Sequence, residues 1–163
     1  MPSPELRAAL ESARIPVPFR LETYLEEVER IRDRRLHTHD LPIEATSVVS
    51  GLWIATRKAD HIFVAPGAVG VLRINIVLHE VSHMLLNHGK VGDVEEVLSR
   101  LMRPAVGAIG AVAARTRYEA REEREAEALA TLILMRANEW PSEGDHGLRI
   151  IEQTFGYGGR YPV

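Results

Sequence analysis

Residues 74–88 read Ile-Asn-Ile-Val-Leu-His-Glu-Val-Ser-His-Met-Leu-Leu-Asn-His, and the spacing within them decides how the rest of the chain must be arranged. His79-Glu80-Val81-Ser82-His83 fits the pattern H-E-x-x-H, in which two imidazoles lie one helical turn apart and reach the same cation. At about 100° per residue, His83 lies only about 40° around the axis from His79, and Glu80 sits at the edge of that face. A carboxylate there can touch a water in the site without being a ligand. Zinc with three protein ligands keeps a fourth position for water and lowers that water's pKa to about 7, so Glu80 is the expected general base. Random placement of the chain's His and Glu residues would give about 0.03 such pentads, so the flanking sequence has to decide the matter.

The flanks supply a helix. Leu72, Ile76, Val77, Leu78, Val81, Met84, Leu85 and Leu86 make it apolar almost all round, which places it in a core, and His88-Gly89 closes it. Two histidines and an acid held only by hydrogen bonds on so apolar a helix would carry a desolvation cost, which a metal removes. Asn75, one turn before His79, borders the site or packs beside it.

Composition narrows the classes. The 163 residues, 45% of them hydrophobic, fit one domain over residues 1–163, with residues 1–18 as an N-terminal extension and 156–163 as a flexible tail. A net charge of −3, with the Arg residues interleaved among acids, argues against a direct nucleic-acid partner. The absence of cysteine removes disulfides and thiolate ligands, leaving His and carboxylate to bind a metal. The first twenty residues lack a signal-peptide core, and the apolar run 105–114 is too short to span a bilayer. A soluble, cytoplasmic protein with no membrane partner is expected.

Along the chain, residues 5–14 read as a short helix and Ile15-Pro-Val-Pro18 as an extended segment. Residues 19–36 carry Leu21, Tyr24, Leu25, Val28, Ile31 and Leu36 at helical spacing. Strands are predicted at 35–41, 47–56 and 61–65, with a turn at 57–60 between the last two. His37, His39 and His61 read as exposed strand histidines, with a second metal site as the alternative. The central helix starts between residues 68 and 72. Further helices are predicted at 93–103, 118–137 and 145–154, while 105–114, with Gly107 and Gly110, is either a closely packed helix or a cover over the site. The fold class is α+β: a small antiparallel sheet packed on a helical core that contains the H-E-x-x-H helix, in a zincin-like arrangement.

Two histidines need a third ligand. The helix at 118–137 offers Glu119, Glu122, Glu123, Glu125 and Glu127, with its apolar face set mainly by Leu129, Leu132 and Ile133. Glu125 and Glu122 fall on or near that face, Glu127 lies opposite and Glu123 is well off to the side, so this reading leaves Glu125 and Glu122.

Gly51-Leu-Trp53, Asp60-His-Ile-Phe63, LHEVSHMLLNH and Glu123-Arg-Glu-Ala-Glu-Ala-Leu-Ala130 with Leu132-Ile133 occur in an order that resembles the ImmA/IrrE family of metallo-endopeptidases, over roughly residues 45–137. The resemblance implies that His79, His83 and Glu125 bind Zn2+ and that Glu80 is the catalytic base. It also implies an endopeptidase that cuts a regulatory protein, a helix-turn-helix repressor or an antitoxin, in a stress-type response. Ser82 stands where the family has Gly, Glu127 and Leu129 replace Asn or Asp and Phe, and the segment 91–117 is expanded. Tyr118, His88 and His146 are the candidate oxyanion donors. A reading from another class keeps the zinc and drops the turnover: a catalytically silent regulatory module that sequesters a transcription factor.

Overall fold

The structure is a computed structural model that describes residues 2–46, 49–88 and 118–138. Helix α1 (Pro4–Ser12) begins where Ser3 Oγ accepts the Leu6 N–H at 3.2 Å and Pro4 takes the first turn, where its missing N–H costs nothing. Helix α2 (Leu21–Arg32) buries Tyr24 and Val28, one turn apart. It ends earlier than the apolar spacing predicts. Asp33 turns left-handed at φ 50°, and the chain re-emerges as strand β1 (Arg35–Asp40), so Leu36 belongs to the sheet.

A 3-10 turn (Ile43–Ala45) leads to strands β2 (Gly51–Ala55) and β3 (Ala59–Val64), joined by a tight turn in which Thr56 Oγ1 accepts the Ala59 N–H at 3.0 Å. The sheet order is β1-β3-β2, and only β2 and β3 are antiparallel. β1 pairs with β3 in parallel, which corrects the expected antiparallel sheet to a mixed one. The reason is the connection after β1. It carries the chain past the place of the middle strand to the far edge, and the hairpin then inserts β3 between the two strands already laid down.

The two faces of the sheet bury different things. Trp53, Ile62 and Val64 face the helices and join Tyr24, Val28, Val77, Leu78, Val81, Met84, Leu129 and Ile133 in the main core. Leu52, Ile54 and Phe63 face the other way, where Leu41 and Ala45 of the crossing segment cover them. Helix α3 (Gly70–Leu85) lies across the first face, and helix α4 (Ala120–Asn138) packs on α3. α1 closes over α4 with Ala9, Leu10 and Ala13 buried in the same core.

Asp60 ties these layers together. Its buried carboxylate accepts from Arg32 Nε at 2.9 Å, Arg34 Nε at 3.3 Å and Trp53 Nε1 at 3.1 Å, while Arg32 also donates to the Met84 carbonyl at 3.0 Å. Asp60 and Arg32 together thus link the end of α2, the β2–β3 hairpin and the end of α3. The predicted helices at 93–103 and 145–154, the segment 105–114, His146 and the tail 156–163 lie outside the described residues. No helix among the described residues is long and apolar enough to cross a membrane.

Candidate metal centre

α3 brings its two histidines to one place, with His79 Nε2 and His83 Nε2 3.1 Å apart. α4 supplies a carboxylate to both: Glu123 Oε2 lies 3.2 Å from His79 Nε2, and Oε1 lies 3.8 Å from His83 Nε2. His79, His83 and Glu123 form a group that could hold a metal ion. The spacings suit one. Two ligands about 2.0–2.1 Å from a tetrahedral ion stand about 3.3 Å apart, close to the 3.1 and 3.2 Å edges, while the 3.8 Å edge, to the other carboxylate oxygen, is about half an ångström longer. The His83 side chain is wholly buried, whereas those of His79 and Glu123 are 31% and 47% exposed, so the group is anchored inside and opens outward.

The partners of His83 fix which nitrogen it offers. His83 Nδ1 is 3.0 Å from His88 Nδ1, and His88 Nε2 is 3.3 Å from Glu125 Oε2, whose other oxygen accepts from Arg121 Nε at 2.7 Å. A carboxylate can only accept, so His88 donates from Nε2 and, when neutral, accepts at Nδ1. His83 then carries its proton on Nδ1 and presents a bare Nε2 lone pair to the group. Backing of this kind, an imidazole N–H held by a second partner, orients a metal-ligating histidine. The Tyr118 ring stacks on His83 at 3.6 Å between centroids, fixing its plane. Burial, reinforced by His79 and His88, pushes the imidazolium of His83 down to about 3, so the ring is the neutral species a metal requires.

Glu80 is buried beside the group and is not one of the three donors. Burial raises its carboxyl to about 8, the Glu123 charge adds to the rise, and a hydrogen bond from the Trp53 backbone opposes it. The niche exists because β2 starts with glycine. A Cβ at Gly51 would stand 2.5 Å from Ile76 Cγ2 and 2.8 Å from Glu80 Oε1, closer than such atoms approach.

The structure therefore brings together His79, His83 and Glu80 of the expected residues, and it puts Glu123 where Glu125 was expected. Glu125 stands one step behind, beyond His88. Glu122 is occupied at the start of α4, where its Oε2 accepts the Glu119 N–H at 2.8 Å, half of a capping box. The buried side of α4 differs from the one its leucines and isoleucine mark. The residues that go inside are Ala126, Leu129, Ala130 and Ile133; Leu132 is only partly covered. Counting Leu132 and omitting the alanines turns the apparent face about 60° toward Glu125. The alanines were the available signal, since small residues mark where two helices approach closely. Of the three oxyanion candidates, His88 has both ring nitrogens engaged, His146 is outside the described residues, and Tyr118 lies against His83 within the electrostatic reach of Glu80 and Glu123.

No protein-family model, curated protein or solved structure matches the chain.

Proposed function

We propose that the protein is a zinc-dependent endopeptidase with a zincin-like centre, of the kind its resemblance to the ImmA/IrrE family implies, with Glu123 in the place first given to Glu125. The observation that carries the reading is the arrangement of four side chains: three donors converge, and a fourth acid stands beside them without joining them. A closed structural site has no use for such an acid. Zinc bound by His79, His83 and Glu123 would supply Lewis acidity toward a peptide carbonyl and a nucleophilic water at neutral pH. Glu80 would take the proton from that water and return it to the leaving amine. A raised carboxyl suits the second role; for the first, a dication bound beside Glu80 would favour its ionised form against the burial that raises it. The Tyr118 hydroxyl is the candidate donor to the developing oxyanion. The substrate class, a helix-turn-helix repressor or an antitoxin, rests on the family resemblance alone.

The second reading, a silent zinc-binding module that sequesters a transcription factor, draws on the burial of Glu80 under β2. Metal content and cleavage separate the two. Wild type is expected to bind one zinc, His79→Ala and Glu123→Gln to lose it, and Glu80→Gln to keep it while losing all cleavage of a helix-turn-helix regulator offered as substrate. Unchanged zinc in Glu123→Gln would refute the site. A stable complex with that regulator, with no fragments even from wild type, would favour the module.

A further inference from the structure

The outer face of the sheet carries a second group of imidazoles that the centre above does not use. His37 of β1 stands opposite His61 of β3 in the parallel ladder, and His39, two residues on, stands opposite Phe63. The alternation of a strand puts all three histidines on the same face. This face is turned away from α3, so the two sets of histidines are separated by the sheet.

His39 Nε2 lies 2.9 Å from His61 Nδ1. Phe63 stacks on the His39 ring at 4.8 Å, which holds that nitrogen toward His61. The His37 ring is 5.3 Å from that of His61 and 6.3 Å from that of His39, centroid to centroid, and it is exposed, so it is the third imidazole within a side-chain rotation of the pair. Two metal–nitrogen bonds of about 2.0–2.1 Å meeting at a right angle span about 2.9 Å, whereas a tetrahedral angle spans about 3.3 Å. The 2.9 Å spacing is nearer the right-angled span and is also that of an N–H···N hydrogen bond, so the ligand type carries the choice of ion: imidazoles suit Ni2+ and Cu2+.

We propose that His39 and His61, completed by His37, form a surface site for a divalent transition ion of tetragonal or octahedral preference, such as Ni2+ or Cu2+, that clips β1 to β3. Water fills the remaining positions. Partial burial and the adjacent imidazoles lower the proton affinity of His39 and His61, which keeps both rings in the form that ligates. β1 is an edge strand held to the sheet by β3 alone, so a cation bridging it to the central strand adds a cross-link between the two.

The test uses the full chain with His79→Ala and Glu123→Ala, which removes two of the three donors of the other centre and leaves buried His83 in place. Equilibrium dialysis with Ni2+ at pH 7.5 is expected to give one saturable equivalent and a concentration-dependent rise in Tm. Adding His39→Ala and His61→Ala abolishes that equivalent, and adding His37→Ala alone weakens it about tenfold or more. No saturable equivalent, or one that survives loss of His39 and His61, would overturn the proposal and leave a hydrogen-bonded pair. Should the outer-face variants fail to fold, Cu2+ added to the parent variant decides. Nitrogen hyperfine structure from at least two imidazoles, with paramagnetic broadening centred on β1 and β3, supports the site; broadening centred elsewhere overturns it.

Discussion

At position 51 a single methyl group would collide with Glu80 Oε1 and Ile76 Cγ2, so the glycine there is part of the site although it carries no chemistry. Gly51→Ala is expected to cost about 1–3 kcal/mol, the usual range for overpacking, because both neighbours are confined between β2 and α3. It is also expected to push the Glu80 carboxylate from its niche, lowering cleavage while zinc content stays at the wild-type level. Urea denaturation and metal analysis of the same preparation check both halves, and an unchanged midpoint with full activity would show that the close approach is not what positions Glu80. Residue identity was legible where a motif fixed it. His79, Glu80 and His83 follow from a five-residue pattern, whereas Glu123 depends on how α4 is rotated, with Ala126 and Ala130 buried beside Leu129 and Ile133. A hydropathy count gives alanine little weight beside leucine, so the side of α4 that touches α3 was not visible in it.

Elements depend on a small number of polar ties. The Asp60 carboxylate, 2% exposed, is the shared acceptor of Arg32 and Arg34, and Arg34 also donates to the carbonyls of Thr56 and Ala59. Asp60→Asn leaves two partly buried guanidinium groups without their counter-charge, a change expected to cost about 3 kcal/mol. The unfolding midpoint should fall with the zinc stoichiometry unaltered, since none of these groups touches the metal centre. Glu27 of α2 makes a tie of another kind. Arg30 beside it, with help from the Arg14 backbone N–H, holds its carboxyl down at about 2. A depressed carboxylate contributes stability that is fully present above its unfolded value of about 4.5 and is lost as the pH falls through about 2. Wild type should therefore weaken over that window more steeply than Glu27→Gln, and added salt should shrink the difference because Arg30 is exposed. Acid titrations followed by circular dichroism give both slopes; parallel curves would remove Glu27 from the account. The existence of α2, the hairpin and α3 was legible because their spacing is local. The parallel pairing of β1 was not, since nothing within residues 35–40 records that the chain will pass over to the far edge before β3 arrives.

For the molecule as a whole, a metal in the proposed centre would cross-link parts of the chain distant in sequence. α3 and α4 meet in the core through Val81, Met84, Leu129 and Ile133, while their polar ends meet at His79, His83 and Glu123. A cation bound there engages the folded state far better than the unfolded one, in which the two segments are separated by a long connection, so its binding energy appears as stability. At a zinc concentration one hundred times the dissociation constant, the gain is about 2.7 kcal/mol. For a chain of 163 residues that corresponds to a rise in Tm of about 5–10 °C. Glu123→Gln should lose most of this rise, because two imidazoles remain to bind. Glu125→Gln should retain it but need more zinc, by about 10–100-fold, because its carboxylate acts only through His88 on the orientation of His83. The order of the two variants is the discriminating result. If Glu125→Gln abolished the zinc-dependent rise and Glu123→Gln left it intact, the ligand would be the residue the family pattern indicates, and α4 would have to turn on α3 to deliver it.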